Sequence, residues 1–130
     1  MRREECLTKP QQYALVYSKG NSWASNLVVM KALPNGLTLS RYGFSVSKRI
    51  GKAVIRNRVK RLLREILRIM PLKSSWDIIF IARPPAANTD YASLKRVVEG
   101  LLSRASLLEA EEEHAFLARV KAGSGRESEI

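Results

Sequence analysis

The sequence predicts a single α+β domain, a two-layer sandwich of helices packed on one small sheet. Helix-like and strand-like apolar periods succeed one another in the order helix, hairpin, helix, strand, helix. The length, 130 residues, suffices for one buried core but not two. The 45% apolar share is that of a globular chain rather than a disordered one.

Thr8 with Gln11 three residues later is a capping-box pattern, and Pro10 suits a first helical turn. The first helix is therefore expected over about Lys9–Ser18, with Gly20 as its stop and Tyr13, Leu15, Val16 and Tyr17 as apolar and aromatic positions. Leu27–Leu33 reads as a strand, Pro34-Asn35-Gly36 as a turn, and Leu37 to about Ser47 as the returning strand of a hairpin. Apolar alternation in that second strand slips at Arg41–Gly43, which a bulge at Gly43 would absorb. Ser47–Lys52 is a short basic loop. Ala53–Met70 carries the clearest helical period in the chain, and Pro71 stops it. Asp77–Ala82 is the near-continuous apolar run of a strand covered on both faces. Pro84-Pro85 breaks the chain, and Thr89 or Asp90 can cap a last helix over about Tyr91–Ser106. The domain is expected to span residues 1–106. Residues 107–130 form an acidic C-terminal extension, expected to begin as helix and to be partly disordered around Gly123-Ser124-Gly125. No internal repeat is visible.

Charge narrows the function. The net charge is +11 and is unevenly placed. Residues 1–104 hold 20 basic and 6 acidic side chains, whereas residues 105–130 hold 3 basic and 6 acidic. A folded domain at +14 repels itself and gains most from a polyanion, through Coulomb attraction and counterion release. Nucleic acid leads, with an anionic membrane surface second. The single cysteine, Cys6, cannot form an internal disulfide and suits a reducing compartment. The start, Met-Arg-Arg-Glu-Glu-Cys, lacks the apolar run of a secretory signal, and no stretch of 18 residues is free of charge. A cytoplasmic protein with no membrane contact is expected.

The Ala53–Met70 helix carries the chemistry. On a wheel, Ile55, Val59, Leu62, Leu63, Ile66, Ile69 and Met70 fall on one arc of about 120°. Lys60, Arg61, Arg64, Arg68 and Asn57 oppose them, with Arg56 and Arg58 on the flanks and Glu65 the lone acid. A merely solvated face would alternate Glu with Lys, each pair gaining about 0.2–0.5 kcal/mol. Here like charges stack at Arg56, Lys60, Arg64 and Arg68, a pattern that is unfavourable until phosphates neutralise it. Guanidinium forks bind phosphate oxygens bidentately, and Asn57 adds a donor–acceptor pair suited to a base edge or a ribose hydroxyl. Lys48, Arg49 and Lys52 place further cations at the helix start. With no helix-turn-helix or dimer signature, RNA is favoured over DNA.

The run Gly43-Phe-Ser-Val-Ser-Lys-Arg-Ile-Gly-Lys-Ala-Val-Ile-Arg-Asn-Arg-Val-Lys-Arg-Leu-Leu-Arg-Glu65 closely resembles the signature of the bacterial ribonuclease P protein subunit, with its Arg-Asn-Arg helix. The resemblance extends to Leu7–Gly20 and Asp77–Pro84 and covers about residues 7–106. It implies a left-handed βαβ crossover, an exception to the usual hand. It also implies a holoenzyme in which a catalytic RNA, holding most of the Mg²⁺, removes the 5′ leader from precursor tRNA. No cofactor on the protein itself and no obligate protein partner are implied. By position, Ser47, Lys48, Arg49 and Lys52 with the Arg56-Asn57-Arg58 helix would contact the catalytic RNA. Tyr13, Tyr17, Lys31 and Arg83 would border the cleft for the single-stranded leader, where aromatic rings can stack bases without reading them. Lys31 stands where relatives can carry another aromatic, and the acidic extension is atypical.

A protein-borne nuclease would need paired carboxylates or His-based acid–base groups. The only histidine is His114, in Glu111-Glu112-Glu113-His114, a run better read as a solvated helix face than as a metal site. Asp77, Asp90, Glu65 and Glu99 are scattered, and no phosphate-binding Gly-rich loop is present. The isolated protein is expected to be inert, with no catalytic residue of its own. The competing reading is a ribosomal or other structural RNA-binding protein, and a protein-only nuclease is a third.

Overall fold

The structure is a computed structural model and describes residues 5–109. The expectations for the acidic extension from residue 110 onward, His114 included, lie outside the described residues. In chain order the elements are α1 (Pro10–Lys19), β1 (Asn21–Ala24), β2 (Val28–Pro34), β3 (Arg41–Ser45), α2 (Ala53–Arg68), β4 (Trp76–Ala82) and α3 (Tyr91–Arg104). Short 3₁₀ turns occupy Lys48–Ile50 and Pro84–Asn88.

The four strands form one mixed sheet in the order β1-β2-β4-β3. β2 runs antiparallel to both β1 and β4, while β3 runs parallel to β4. The β3–α2–β4 crossover therefore joins two neighbouring parallel strands. This corrects the hairpin expected between Leu27–Leu33 and Leu37–Ser47, because β4 inserts between the two. The turn signal itself holds: Gly36 has φ 71°, and Asn35 Oδ1 accepts from Leu37 N at 2.7 Å. Asn35 Nδ2, however, donates to Leu39 O at 3.2 Å and Asp77 Oδ1 at 2.9 Å, so the turn packs against β4 instead of closing a two-residue hairpin. The hairpin present is β1–β2, joined through Ser25, whose Oγ accepts from Val28 N at 3.1 Å.

No bulge occurs at Gly43 either. Arg41–Ser45 pairs residue for residue with Asp77–Ile81, Gly43 opposite Ile79. The break in alternation arises because Gly43 leaves its side-chain space to Tyr13 of α1: a Cβ there would lie 2.6 Å from Tyr13 Oη.

β4 explains why the sheet closes this way. It is buried on both faces, as a central strand must be. Ile78 and Phe80 pack with Val28, Met30 and Ala32 against Val59, Leu63, Ile66 and Leu67 of α2 and Leu94, Val98, Leu101 and Leu102 of α3. Each fully buried side chain of this size contributes about 1.5–3 kcal/mol. On the opposite face α1 seats Val16 against Ile79, with Leu7, Tyr13, Leu33 and Ile81 around them.

Two details of the helices differ from the pattern. The α1 N-cap is Lys9, and Gln12 rather than Gln11 reaches back, its Oε1 accepting from Thr8 N at 2.9 Å and Lys9 N at 3.0 Å. Pro10 takes the first helical position, which moves the box one residue along. In α2, Leu67 is buried and Ile69 is 55% exposed, because the helix ends at Arg68 and the wheel no longer places Ile69. Asp90 caps α3 as expected, its Oδ1 accepting from Ser93 N at 2.7 Å.

Candidate nucleic-acid interface

The basic loop and α2 are shaped as one unit. Ser47 Oγ accepts from Arg49 N at 3.3 Å, and buried Ile50 anchors the turn, leaving Ser47, Lys48 and Arg49 exposed. Gly51 then takes φ 149°, a backbone that side chains disfavour, and a Cβ there would also meet Ile55 Cδ1 at 3.0 Å. That turn delivers Lys52 as the α2 N-cap. The first turn of α2 holds no acid, so the positive end of the helix dipole adds to the loop cations.

Along α2, Lys52, Asn57, Arg61, Arg64 and Arg68 are exposed, and Arg56, Arg58 and Lys60 are half-buried. Among the described residues no acid lies within ion-pair distance of any of them, whereas Arg41 is paired with Asp77. Three guanidinium groups are braced internally. Arg56 Nε donates to Gly51 O at 3.1 Å and Arg58 Nη2 to Thr89 O at 2.7 Å. Arg64 lies over the Phe44 ring, 5.9 Å from its centroid. Arg58 thus ties α2 to the residue preceding the α3 cap, while Arg61, Arg64 and Arg68 keep their donors on the surface. The ridge is cationic, outward and largely unneutralised.

The α1 side of the sheet offers a second surface. Strand register places Ser22, Lys31, Ile79 and Gly43 in one row across the sheet, and Ala24, Val29, Ile81 and Ser45 in the next. Tyr13 covers Gly43, and its hydroxyl donates to Leu7 O at 3.4 Å. Burial holds the Tyr13 hydroxyl above its ordinary pKa, so it stays neutral. Tyr17, one turn on, is 40% exposed, and its ring centroid lies 6.5 Å from that of Tyr13 at 39°. Two tilted rings therefore flank a sheet face containing half-buried Lys31. At the end of β4, exposed Arg83 donates from Nη1 to Ser25 O at 3.1 Å. Arg83 lines an open pocket of about 660 Å³ with Ala24, Ser25, Asn26, Pro84 and Pro85.

Two participants were not legible in the sequence. Arg104 Nη1 donates to Ala24 O at 3.1 Å, so arginines from two elements clip the β1–β2 turn beside this pocket. No spacing marks a lone arginine in the last turn of a helix. Gly43 matters as the seat of Tyr13, and its place inside the signature run was the available clue. Among the described residues no three His, Cys, Asp or Glu side chains come together to hold a metal ion, and no helix is long and apolar enough to cross a membrane.

Comparison with known proteins agrees with this geometry. The family model described as Ribonuclease P matches residues 1–106. The ribonuclease P protein component of Dehalococcoides mccartyi is 49% identical over 113 residues, spanning 87% of this chain and 94% of that one. That of Caldanaerobacter subterraneus is 45% identical over 108 residues, spanning 82% and 93%. Among solved structures, the Staphylococcus aureus RNase P protein superposes with a TM-score of 0.75 at 31% identity, covering 81% of this chain and 98% of that one. The Thermotoga maritima protein superposes at 0.71 with 29% identity, covering 77% and 96%. A family match over most of the chain, relatives near half identity and the same mixed sheet place this chain in the ribonuclease P protein component family.

Proposed function

We propose that this chain, as the protein subunit of the endoribonuclease ribonuclease P, docks on the catalytic RNA through Ser47–Lys52 and the exposed ridge of α2. The α1 side of the sheet then holds the 5′ leader of precursor tRNA. In this reading Tyr13 and Tyr17 stack unpaired bases, and Lys31 and Arg83 neutralise leader phosphates. The RNA performs the hydrolysis and holds the Mg²⁺, and the protein needs no cofactor or obligate protein partner to work in the cytoplasm.

The observation that carries the reading is the α2 ridge, where exposed arginines at helical spacing form no ion pair among the described residues. Such a surface is at its most favourable when phosphates replace the missing counter-charges. The tilted tyrosine pair on the other face supplies what a single-stranded segment needs, stacking area without base-specific donors.

The test is reconstitution with a bacterial ribonuclease P RNA at low Mg²⁺. The protein alone should cleave nothing. With the RNA it should tighten binding of precursor tRNA more than of mature tRNA. Equal tightening of both would refute leader recognition. Co-sedimentation with ribosomes and no effect on tRNA processing would instead favour a structural RNA-binding role.

A further inference from the structure

The β1–β2 turn lies at the end of the sheet where the chain leaves β4, and both layers hold it. Ser25 Oγ accepts from Val28 N at 3.1 Å and donates to Val28 O at 2.6 Å, and Arg83 N donates to Leu27 O at 2.8 Å. Turn and strand end therefore form a single frame. Arg83 Nη1 donates to Ser25 O, and Arg104 Nη1, from the last turn of α3, donates to Ala24 O, each at 3.1 Å. Consecutive Cα atoms lie about 3.8 Å apart, so guanidinium groups from two different elements are gathered at one turn.

Clipping a carbonyl needs one donor and no second cation. Both arginines are exposed, and each guanidinium carries several further N–H donors beyond the one used on the turn. Neither forms an ion pair among the described residues. Two such cations repel until an anion comes between them, and their planar forks match phosphate oxygens. Beside them lies the open pocket of about 660 Å³, where Ala24, Pro84 and Pro85 offer the sugar or base of a bound nucleotide an apolar seat. We infer that Arg104 is a nucleic-acid-binding residue that joins Arg83 in holding backbone phosphates of the 5′ leader where it leaves the sheet. The inference rests on the reading of the α1 side of the sheet as the leader surface.

Strand register supplies the path. On the α1 side the row through Gly43, beneath Tyr13, continues to Ile79, Lys31 and Ser22, and the next row ends at Ala24. Side chains two apart share a face, and Arg83 is extended, so it follows Ile79 and Ile81 on that side. From β3 to β1 there are three strand spacings of about 4.7–4.9 Å, roughly 14 Å between the seat of Tyr13 and the turn. Phosphates of a stacked strand recur about every 3.4 Å, so the arginines meet the leader about four nucleotides from the one at Tyr13, fewer if the strand is stretched. Arg104 comes from the opposite layer, since α3 packs with α2 on the other face. It extends the leader surface around the end of the sheet without belonging to that surface.

The test measures precursor tRNA binding by the holoenzyme, reconstituted with a bacterial ribonuclease P RNA, at leader lengths of about two and about ten nucleotides. The first is too short to span that distance and the second is long enough. R104Q should weaken binding of the long-leader substrate about tenfold, the loss of one charged hydrogen bond. It should also lower the slope of log affinity against log salt by about 0.7, one single-strand phosphate. The short-leader substrate and mature tRNA should bind R104Q and the parent protein equally. R104K, which keeps the charge, should restore the slope. Unchanged long-leader binding by R104Q would overturn the inference. So would equal losses on both leaders, which mark a disturbed turn, or a slope that R104K fails to restore, which leaves Arg104 as a brace for Ala24. If the parent holoenzyme binds the long-leader substrate no tighter than mature tRNA, the leader reading has failed and this site with it. If the parent prefers the long leader and R104Q prefers it equally, the Arg104 site alone has failed.

Discussion

Arg41 grips Asp77 with two parallel hydrogen bonds, Nε to Oδ1 at 2.8 Å and Nη2 to Oδ2 at 2.7 Å, across the register that joins β3 to β4. Asn35 Nδ2 adds a third donor to the same carboxylate at 2.9 Å. Asp77 is 3% exposed, so three donors replace the water it has lost. The cluster pins the start of the parallel β3–β4 pair, from which the chain runs on through the basic loop into α2.

The first prediction concerns that cluster. Asp77→Ala leaves the Arg41 guanidinium without its acceptor, while Asn35 Nδ2 keeps only Leu39 O, and should cost about 3–5 kcal/mol in urea unfolding. Arg41→Met with Asp77→Leu should recover most of the loss, because an apolar pair of similar size needs no partners. A double variant as unstable as the single one would show that the ion pair itself, not its satisfaction, holds β3 in place.

Gly43 gives the second. Gly43→Ala puts a Cβ 2.6 Å from Tyr13 Oη and 2.8 Å from the ring carbons, and Tyr13 must move. Binding of precursor tRNA by the holoenzyme should weaken by about 1–3 kcal/mol, the worth of one stacked base, with affinity for the catalytic RNA unchanged. Parallel losses on both RNAs would mean that the sheet, not the ring, had been disturbed.

Alkaline pH supplies the third. Burial, and then the nearby Glu5 carboxylate, raise Tyr42 from 10.0 to about 12. Below pH 10 the hydroxyl is neutral in both folded and unfolded chains, and its contribution to stability is fully present. Between pH 10 and about 12 only the unfolded chain ionises, so stability falls as pH rises. Tyr42→Phe should flatten the thermal midpoint across that window, leaving a smaller slope from Tyr13, which burial also raises. An unchanged slope would show that Tyr42 ionises as freely folded as unfolded.

The ridge was legible in the sequence because its signal is local: a helical period of about 3.6 residues, sustained over Ala53–Met70, places Val59, Leu63 and Ile66 inside and Arg61, Arg64 and Arg68 outside. The sheet order was not. Pro34-Asn35-Gly36 is a strong turn signal, but whether Arg41–Ser45 pairs with β2 or with β4 is decided by residues about 36 positions away. β4 is apolar on both faces and gains most at the centre of the sheet, a global comparison that no local window contains. β1 escaped for a simpler reason: Asn21–Ala24 is four residues long and mostly exposed, with no alternation to read. Lys31 and Tyr13 share a face only through that pairing, so the resemblance could name both without supplying the geometry between them.

The last prediction separates two arginines of the same helix. Arg58 and Arg61 both belong to the signature run, but Arg58 Nη2 donates to Thr89 O at 2.7 Å while Arg61 is exposed without an acid partner among the described residues. Arg61→Gln should lower the slope of log affinity against log salt for the catalytic RNA by about 0.7–0.9, one phosphate contact, with stability unchanged. Arg58→Gln should instead cost about 1.5–3 kcal/mol in urea unfolding, the worth of a charged hydrogen bond joining α2 to Thr89 just before α3, and leave most of the slope intact. The contrast is internal to one helix, so a general loss of charge cannot mimic it. Equal slope changes in the two variants, with neither destabilised, would mean that the Thr89 brace opens on binding and that Arg58 turns to RNA as well.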